Sequence, residues 1–218
     1  MRIYAIGDIH GQLERLREAH DRILRDGGEE AKIVHVGDLI DRGPDSRGVV
    51  ELLMEGQARG RDWIARDVGA EEALASYGIP DAARRPLEEV HAEAVAKVPA
   101  DHARWLSGLP AWHLTPLALF VHAGIRPGVD LGAQIEDDLL WIRKPFHEDS
   151  RDHGALVVHG HTPVRHPTHY GNRVNIDSGA GHGGPLTAIR LDAEGVWVLG
   201  DGPPRPLRPK TASGRPAT

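Results

Sequence analysis

The sequence predicts an α/β fold of mixed α+β character, and three observations carry that reading. The chain opens strand–helix–strand–helix, its middle reads as helix punctuated by prolines, and its second half is a series of short apolar strands bounded by Gly and Pro. With 218 residues, 40% of them hydrophobic, and no internal linker-like stretch, one domain with a full core is expected.

Residues 2–6 read as the first strand. Leu13, Leu16, His20, Ile23 and Leu24 then mark one face of a helix that ends near Gly27-Gly28. Residues 32–36 form a second strand. After a polar loop containing Gly and Pro, Val49, Val50, Leu52 and Leu53 begin a second helix that stops between Gly56 and Gly60. This order implies adjacent parallel strands joined by a right-handed crossover. A short strand is expected at 63–68, followed by helix from Glu71 to about Ser107, broken at Pro80, Pro86 and Pro99. Further strands are expected within LALFVHAGI (117–125), ALVVHGHTP (155–163), RVNIDSGAG (173–181), LTAIRL (186–191) and GVWVLG (195–200). Residues 1–200 therefore form the domain. Residues 201–218, with five prolines and four basic residues against one acid, are expected to be a disordered tail.

Composition narrows the function. There is no cysteine, which excludes disulfides and thiolate metal sites. A formal net charge of −6 gives no pull toward nucleic acid or an anionic membrane. No apolar run approaches a membrane span and the N-terminus does not resemble a signal peptide, so a cytoplasmic monomer is expected. The 14 histidines are the main nitrogen ligands available.

Metal-type side chains gather where strands end. Asp8 and His10 follow the first strand in GDIHG (7–11), and Asp38 follows the second in GDLIDRG (37–43). His122 follows a third in HAG (122–124), and His161 a fourth in HGHTP (159–163). Carboxyl ends of strands are where α/β architectures collect their chemistry. If the first two strands are neighbours, their loops converge, and two carboxylates with an imidazole can share a hard-to-intermediate cation. The remaining histidines carry less. His20, His91, His102, His147, His153, His166 and His169 read as surface or satisfied core residues, and His35, inside a strand, as packing.

In order, these four motifs resemble those of the phosphoprotein-phosphatase family of metallophosphoesterases, nearest the bacterial serine/threonine protein phosphatases. LLWIRKPF (139–146) and NIDSGAGHGGPLT (175–187) look like further family segments. The resemblance covers roughly residues 1–200, and the diadenosine-tetraphosphatase branch shares most of it. It implies the calcineurin-like fold, two mixed sheets flanked by helices, with two divalent metals at the sheet ends. Asp8, His10 and Asp38 would hold the first metal, Asp38 bridging, while His122 and His161 would help hold the second. Manganese or iron suits such ligands, and zinc is compatible. The implied reaction is hydrolysis of a phosphorylated protein or small phosphoester by a metal-activated water. Arg42 and Arg143 match the family's phosphate-clamping arginines, and Asp41 its aspartate that orients an acid histidine.

The family's Gly-Asn-His motif is missing. The stretch 60–78 jumps from the expected third strand to the following helix, and no asparagine precedes Asn172. One ligand of the second metal and the histidine that protonates the leaving group are thereby lost. Asp41 is left without its expected partner, and the second metal is expected to bind weakly. Asp67 is a candidate replacement ligand and His182 a candidate replacement acid. Three readings stay open: a protein phosphatase with impaired activity, a non-catalytic relative that binds metal and phosphorylated partners, and a hydrolase resembling diadenosine tetraphosphatases.

Overall fold

A computed structural model describes residues 1–58 and 71–210. Strand β1 (Ile3–Ile6) leads to helix α1 (Leu13–Gly27), strand β2 (Ile33–His35) and helix α2 (Ser46–Ala58). Helices α3 (Glu71–Ser76), α4 (Leu87–Lys97) and α5 (Ala100–Ser107) follow. Pro86 and Pro99 stand just before α4 and α5, where a missing N–H costs nothing. Then come β3 (Trp112–Leu114), β4 (Leu119–Val121), α6 (Glu136–Trp141), α7 (Lys144–His147) and β5 (Val157–His159). The chain continues through β6 (Thr168–His169), β7 (Arg173–Asn175), β8 (Ala188–Asp192), β9 (Gly195–Leu199) and β10 (Arg205–Pro206).

The strands form two five-stranded sheets, ordered β10-β9-β8-β1-β2 and β3-β4-β5-β7-β6. Both are mixed. β1 and β2 are parallel, as the crossover rule predicts, and β4, β5 and β7 run parallel in the second sheet. Period-2 alternation sorts the side chains into layers. Ile3 and Ala5 of β1 and Val34 of β2 face Phe120, Val158 and Val174 of the other sheet. Tyr4, Ile6 and Ile33 face outward onto Leu16, Ile23, Val49 and Leu53 of α1 and α2. Across the second sheet, Leu119, Val121 and Val157 pack on Leu139, Ile142 and Phe146 of the α6–α7 region. Central strands buried on both faces must be continuously apolar, which explains the unbroken runs in the sequence.

The same alternation accounts for one buried histidine. His35 turns to the helix side of β2 and meets His20 of α1, their Nε2 atoms 3.0 Å apart. His102 is likewise buried, with its Nδ1 2.8 Å from the Tyr77 hydroxyl.

Some expectations change. β3, β6 and β10 are short edge or near-edge strands without an apolar run, so periodicity did not reveal them. The strand expected at 63–68 lies outside the described residues. The tail, expected to be disordered from 201, is ordered as far as 210. Arg205 and Pro206 pair with Val198 and Trp197, and Leu207 N donates to Val196 O at 2.8 Å. Lys210 N donates to His169 O in the other sheet, also at 2.8 Å. Proline is tolerated because β10 is an edge, and Leu207 anchors the segment on the inter-sheet core. Residues 211–218 lie outside the described residues.

Candidate metal centre

The loops that follow β1 and β2 are laced together by backbone. Ile9 N and His10 N both donate to Asp38 O, at 3.0 and 2.6 Å, and Gly11 N donates to Leu39 O at 3.0 Å. Within the second sheet, Gly160 N likewise donates to His122 O at 2.8 Å, tying the loops after β4 and β5. Asp8 joins the two sheets, its Oδ2 accepting from His161 N at 2.8 Å.

This convergence brings together all five metal-type residues expected from sequence. Asp8, His10 and Asp38 each offer a ligand atom, all within 4.8 Å of one another. Asp38 Oδ2 lies 3.0 Å from His10 Nε2, while its Oδ1 lies 3.3 Å from His122 Nε2. His122 Nε2 is in turn 3.2 Å from His161 Nδ1. One carboxylate therefore faces a histidine from each sheet.

The glycines beside these ligands make room for the opposite loop. A Cβ on Gly37 would stand 2.0 Å from His122 Nδ1, and one on Gly160 would stand 1.8 Å from Asp8 Oδ1. His10, Asp38, Asp41, Arg42 and His161 all have positive φ, from 41° to 72°. Non-glycine residues in this region carry strain that persists where surrounding structure enforces it, commonly at functional sites.

The protonation states suit cation binding. His10 Nδ1 lies 3.3 Å from Ile40 O, and a proton held there would leave the Nε2 lone pair free for a cation. Burial holds His122 below the ordinary imidazole range, against the pull of Asp38 and Asp177. Burial, with His122 and Arg143 adding to it, lowers His161 to about 4. Both imidazoles are neutral at pH 7, as ligands must be. Two carboxylates with one imidazole fit a divalent cation, and the second group, Asp38 with two neutral imidazoles, is a poorer cage of the same type.

The arginines flank this centre on two sides. Arg42 Nη1 donates to His10 Nε2 at 2.8 Å and lies 3.4 Å from His182 Nε2. Arg143 Nε donates to His161 Nε2 at 3.2 Å. Asp41 is buried, and neither carboxylate oxygen has a hydrogen-bond partner among the described residues. Burial first, then the carboxylates of Asp38 and Glu72, push it up to about 6 against His10 and Arg42. His182 is exposed on a 3₁₀ turn beside Arg42. Asp67 lies outside the described residues.

Sequence reasoning missed Asp177, buried two residues past β7. Burial raises its carboxyl, opposed by the Gly179 N–H and by His10 and His122, with Asp38 raising it further. The available signal was an acid just past the end of a strand, the same position as Asp8 and Asp38. His159 goes the other way. It ends β5 on the outer face, its ring 5.1 Å from Phe146, while His161 turns into the centre.

Comparison with known proteins agrees with this architecture. The calcineurin-like phosphoesterase model matches residues 1–196. Bis(5′-nucleosyl)-tetraphosphatase PrpE (asymmetrical) of Bacillus thuringiensis is 26% identical over 87% of this chain and 90% of its own length. A solved structure described provisionally as a diadenosine tetraphosphatase superposes with TM-score 0.68 at 24% identity, covering 94% of this chain and 93% of that one. A cold-active protein-tyrosine phosphatase of a psychrophilic Shewanella gives TM-score 0.64 at 15% identity, covering 95% and 80%.

Proposed function

The chain belongs to the calcineurin-like phosphoesterase family, and from that premise we propose that it is a metal-dependent hydrolase of a phosphoanhydride bond in a dinucleoside polyphosphate. The observation that carries the proposal is Asp38, whose two oxygens face His10 at 3.0 Å and His122 at 3.3 Å. Asp8, His10 and Asp38 would hold one divalent cation, and Asp38, His122 and His161 a second. Bound there, such cations lower the pKa of water and offset charge on phosphoryl oxygens.

The protein's own groups have separable tasks. Arg42 and Arg143 offer forked donors from two sides, a geometry suited to a tetrahedral phosphoryl group. Asp8 and Asp38 supply the negative charge that a divalent ion requires. Asp177, buried beside them, adds to that field.

Leaving-group chemistry favours a nucleotide substrate. General acid catalysis contributes about 10²–10⁴-fold and matters most for a basic alkoxide such as serine. A phosphate leaving group departs with little protonation, so the missing Gly-Asn-His motif costs least on an anhydride. The curated relative, 26% identical over 87% of the chain and bearing the tetraphosphatase name, supports this reading over a serine/threonine protein phosphatase. A second reading, a non-catalytic binder of phosphorylated partners, is favoured by the same missing motif and by Asp41.

The test is product analysis by anion exchange with Mn²⁺ present. Diadenosine tetraphosphate should be cleaved faster than a phosphoserine peptide. The reverse order restores the protein-phosphatase reading. Turnover of neither substrate by Mn²⁺-loaded protein favours the non-catalytic one.

A further inference from the structure

Helix α6 ends with Trp141, then Ile142 turns into the core and Arg143 follows. Ile142 is extended, with φ −60° and ψ 139°, and ends the helix between its two neighbours. Both neighbours meet the same imidazole. Arg143 Nε donates to His161 Nε2 at 3.2 Å, and the Trp141 ring stands edge-on to His161 with centroids 5.6 Å apart and planes at 84°.

Trp141 is nonetheless 49% exposed and, among the described residues, belongs to none of the three core clusters, although Leu139 and Ile142 beside it are core residues. Other exposed apolar side chains have different settings. Trp112 and Leu114 lie on edge strand β3, and the Tyr170 ring is covered by the Arg173 guanidinium at 3.8 Å. A half-exposed indole beside a phosphate-binding arginine offers a flat apolar face where a bound phosphoester begins.

We propose that Trp141 is the platform on which the nucleobase of a phosphate-bound nucleotide stacks, which makes it a specificity residue of the site proposed above. The inference rests on that reading for its choice of occupant. An aromatic face accepts any base, and loss of one stacking partner typically weakens binding by about 5- to 150-fold. The other aromatic candidate is phosphotyrosine. The structures that suggest it are 15–16% identical and share only the fold, so the nucleotide is preferred.

The test is calorimetric and does not depend on turnover. In saturating Mn²⁺, adenosine 5′-monophosphate should bind wild-type protein at least 5-fold more tightly than ribose 5-phosphate, which has the same phosphate and no base. Trp141→Ala should bring that ratio close to one, and Trp141→Phe should keep most of it. Phosphotyrosine affinity should change little in either variant. Equal binding of the two phosphates by wild type, or an undiminished ratio in Trp141→Ala, overturns the proposal. So does phosphotyrosine losing as much affinity as the nucleotide. Turnover of diadenosine tetraphosphate is measured in parallel. Its absence alongside a Trp141-dependent ratio refutes the hydrolase reading while supporting the base platform.

Discussion

The two sheets equip the centre unequally. The β1–β2 side contributes two carboxylates and an imidazole whose donors lie within 4.8 Å of one another. The second sheet contributes two neutral imidazoles, with Arg143 bonded to one of them, and a buried acid, Asp177, whose carboxyl is raised by burial, while the carboxylate that faces His122 at 3.3 Å comes from Asp38 of the first side. For a hard-to-intermediate cation such as Mn²⁺, each carboxylate in the ligand set adds to affinity. The first half is therefore expected to bind an ion on its own, and the second only with the help of Asp38.

The largest effect follows from that dependence. Asp38→Ala should abolish tight Mn²⁺ binding and lower phosphohydrolase activity about 10³-fold or more, since metal charge stabilisation is worth several kcal/mol. His122→Ala removes a ligand from the second half alone and should spare the tight site. Calorimetry on both variants checks this. Equal Mn²⁺ affinity in wild type and Asp38→Ala would remove Asp38 from the proposed ligand set.

Next come the glycines, each of which borders the opposite half. Gly160→Ala puts a methyl 1.8 Å from Asp8 Oδ1, and Gly37→Ala puts one 2.0 Å from His122 Nδ1. Overpacking of this kind costs about 1–3 kcal/mol, so thermal melts should show both variants destabilised. Metal titrations should separate them. Gly160→Ala should weaken the tight site, whereas Gly37→Ala should weaken the second.

The arginines should have a more even effect. A charge-assisted hydrogen bond contributes about 1.5–3 kcal/mol, so Arg42→Ala and Arg143→Ala should each weaken inhibition by inorganic phosphate about 10- to 150-fold. Lysine should restore only part, because the fork is lost. Unchanged phosphate inhibition in both alanine variants would dismiss the clamp.

Asp41 gives the smallest effect, seen in metal-free protein. Its folded pKa is raised from 3.8 to about 6, chiefly by burial, so the native state holds its proton more tightly than the unfolded chain. The associated stability is present below about pH 4 and is lost as pH rises through 6. Asp41→Asn should therefore be more stable than wild type at pH 7 by about 1–3 kcal/mol, and the gap should close below pH 4. Chemical denaturation at pH 4 and pH 7 in a chelator measures it. A gap that does not change with pH would mean that Asp41 titrates normally in the fold.

The same inequality explains what could be read from the sequence. Asp8, His10 and Asp38 lie close in sequence, just past the ends of two parallel strands one helix apart, so their convergence follows from a local crossover rule. His122 reaches Asp38, with His161 behind it, only because Phe120, Val158 and Val174 pack the second sheet onto the first. No periodicity encodes that docking, and motif order alone suggested it. Asp177 escaped notice because an acid near glycine also reads as a turn. β10 and the Lys210 contact were hidden by prolines that suggest disorder wherever a Leu207 does not anchor them.

The most direct test of this asymmetry is a Mn²⁺ titration of chelator-stripped wild-type protein, followed by calorimetry. Two separate phases are expected, one ion at low concentration and a second only at much higher concentration, with Asp38→Ala losing both. Two ions binding with equal affinity, or a single phase that Asp38→Ala leaves intact, would contradict the account.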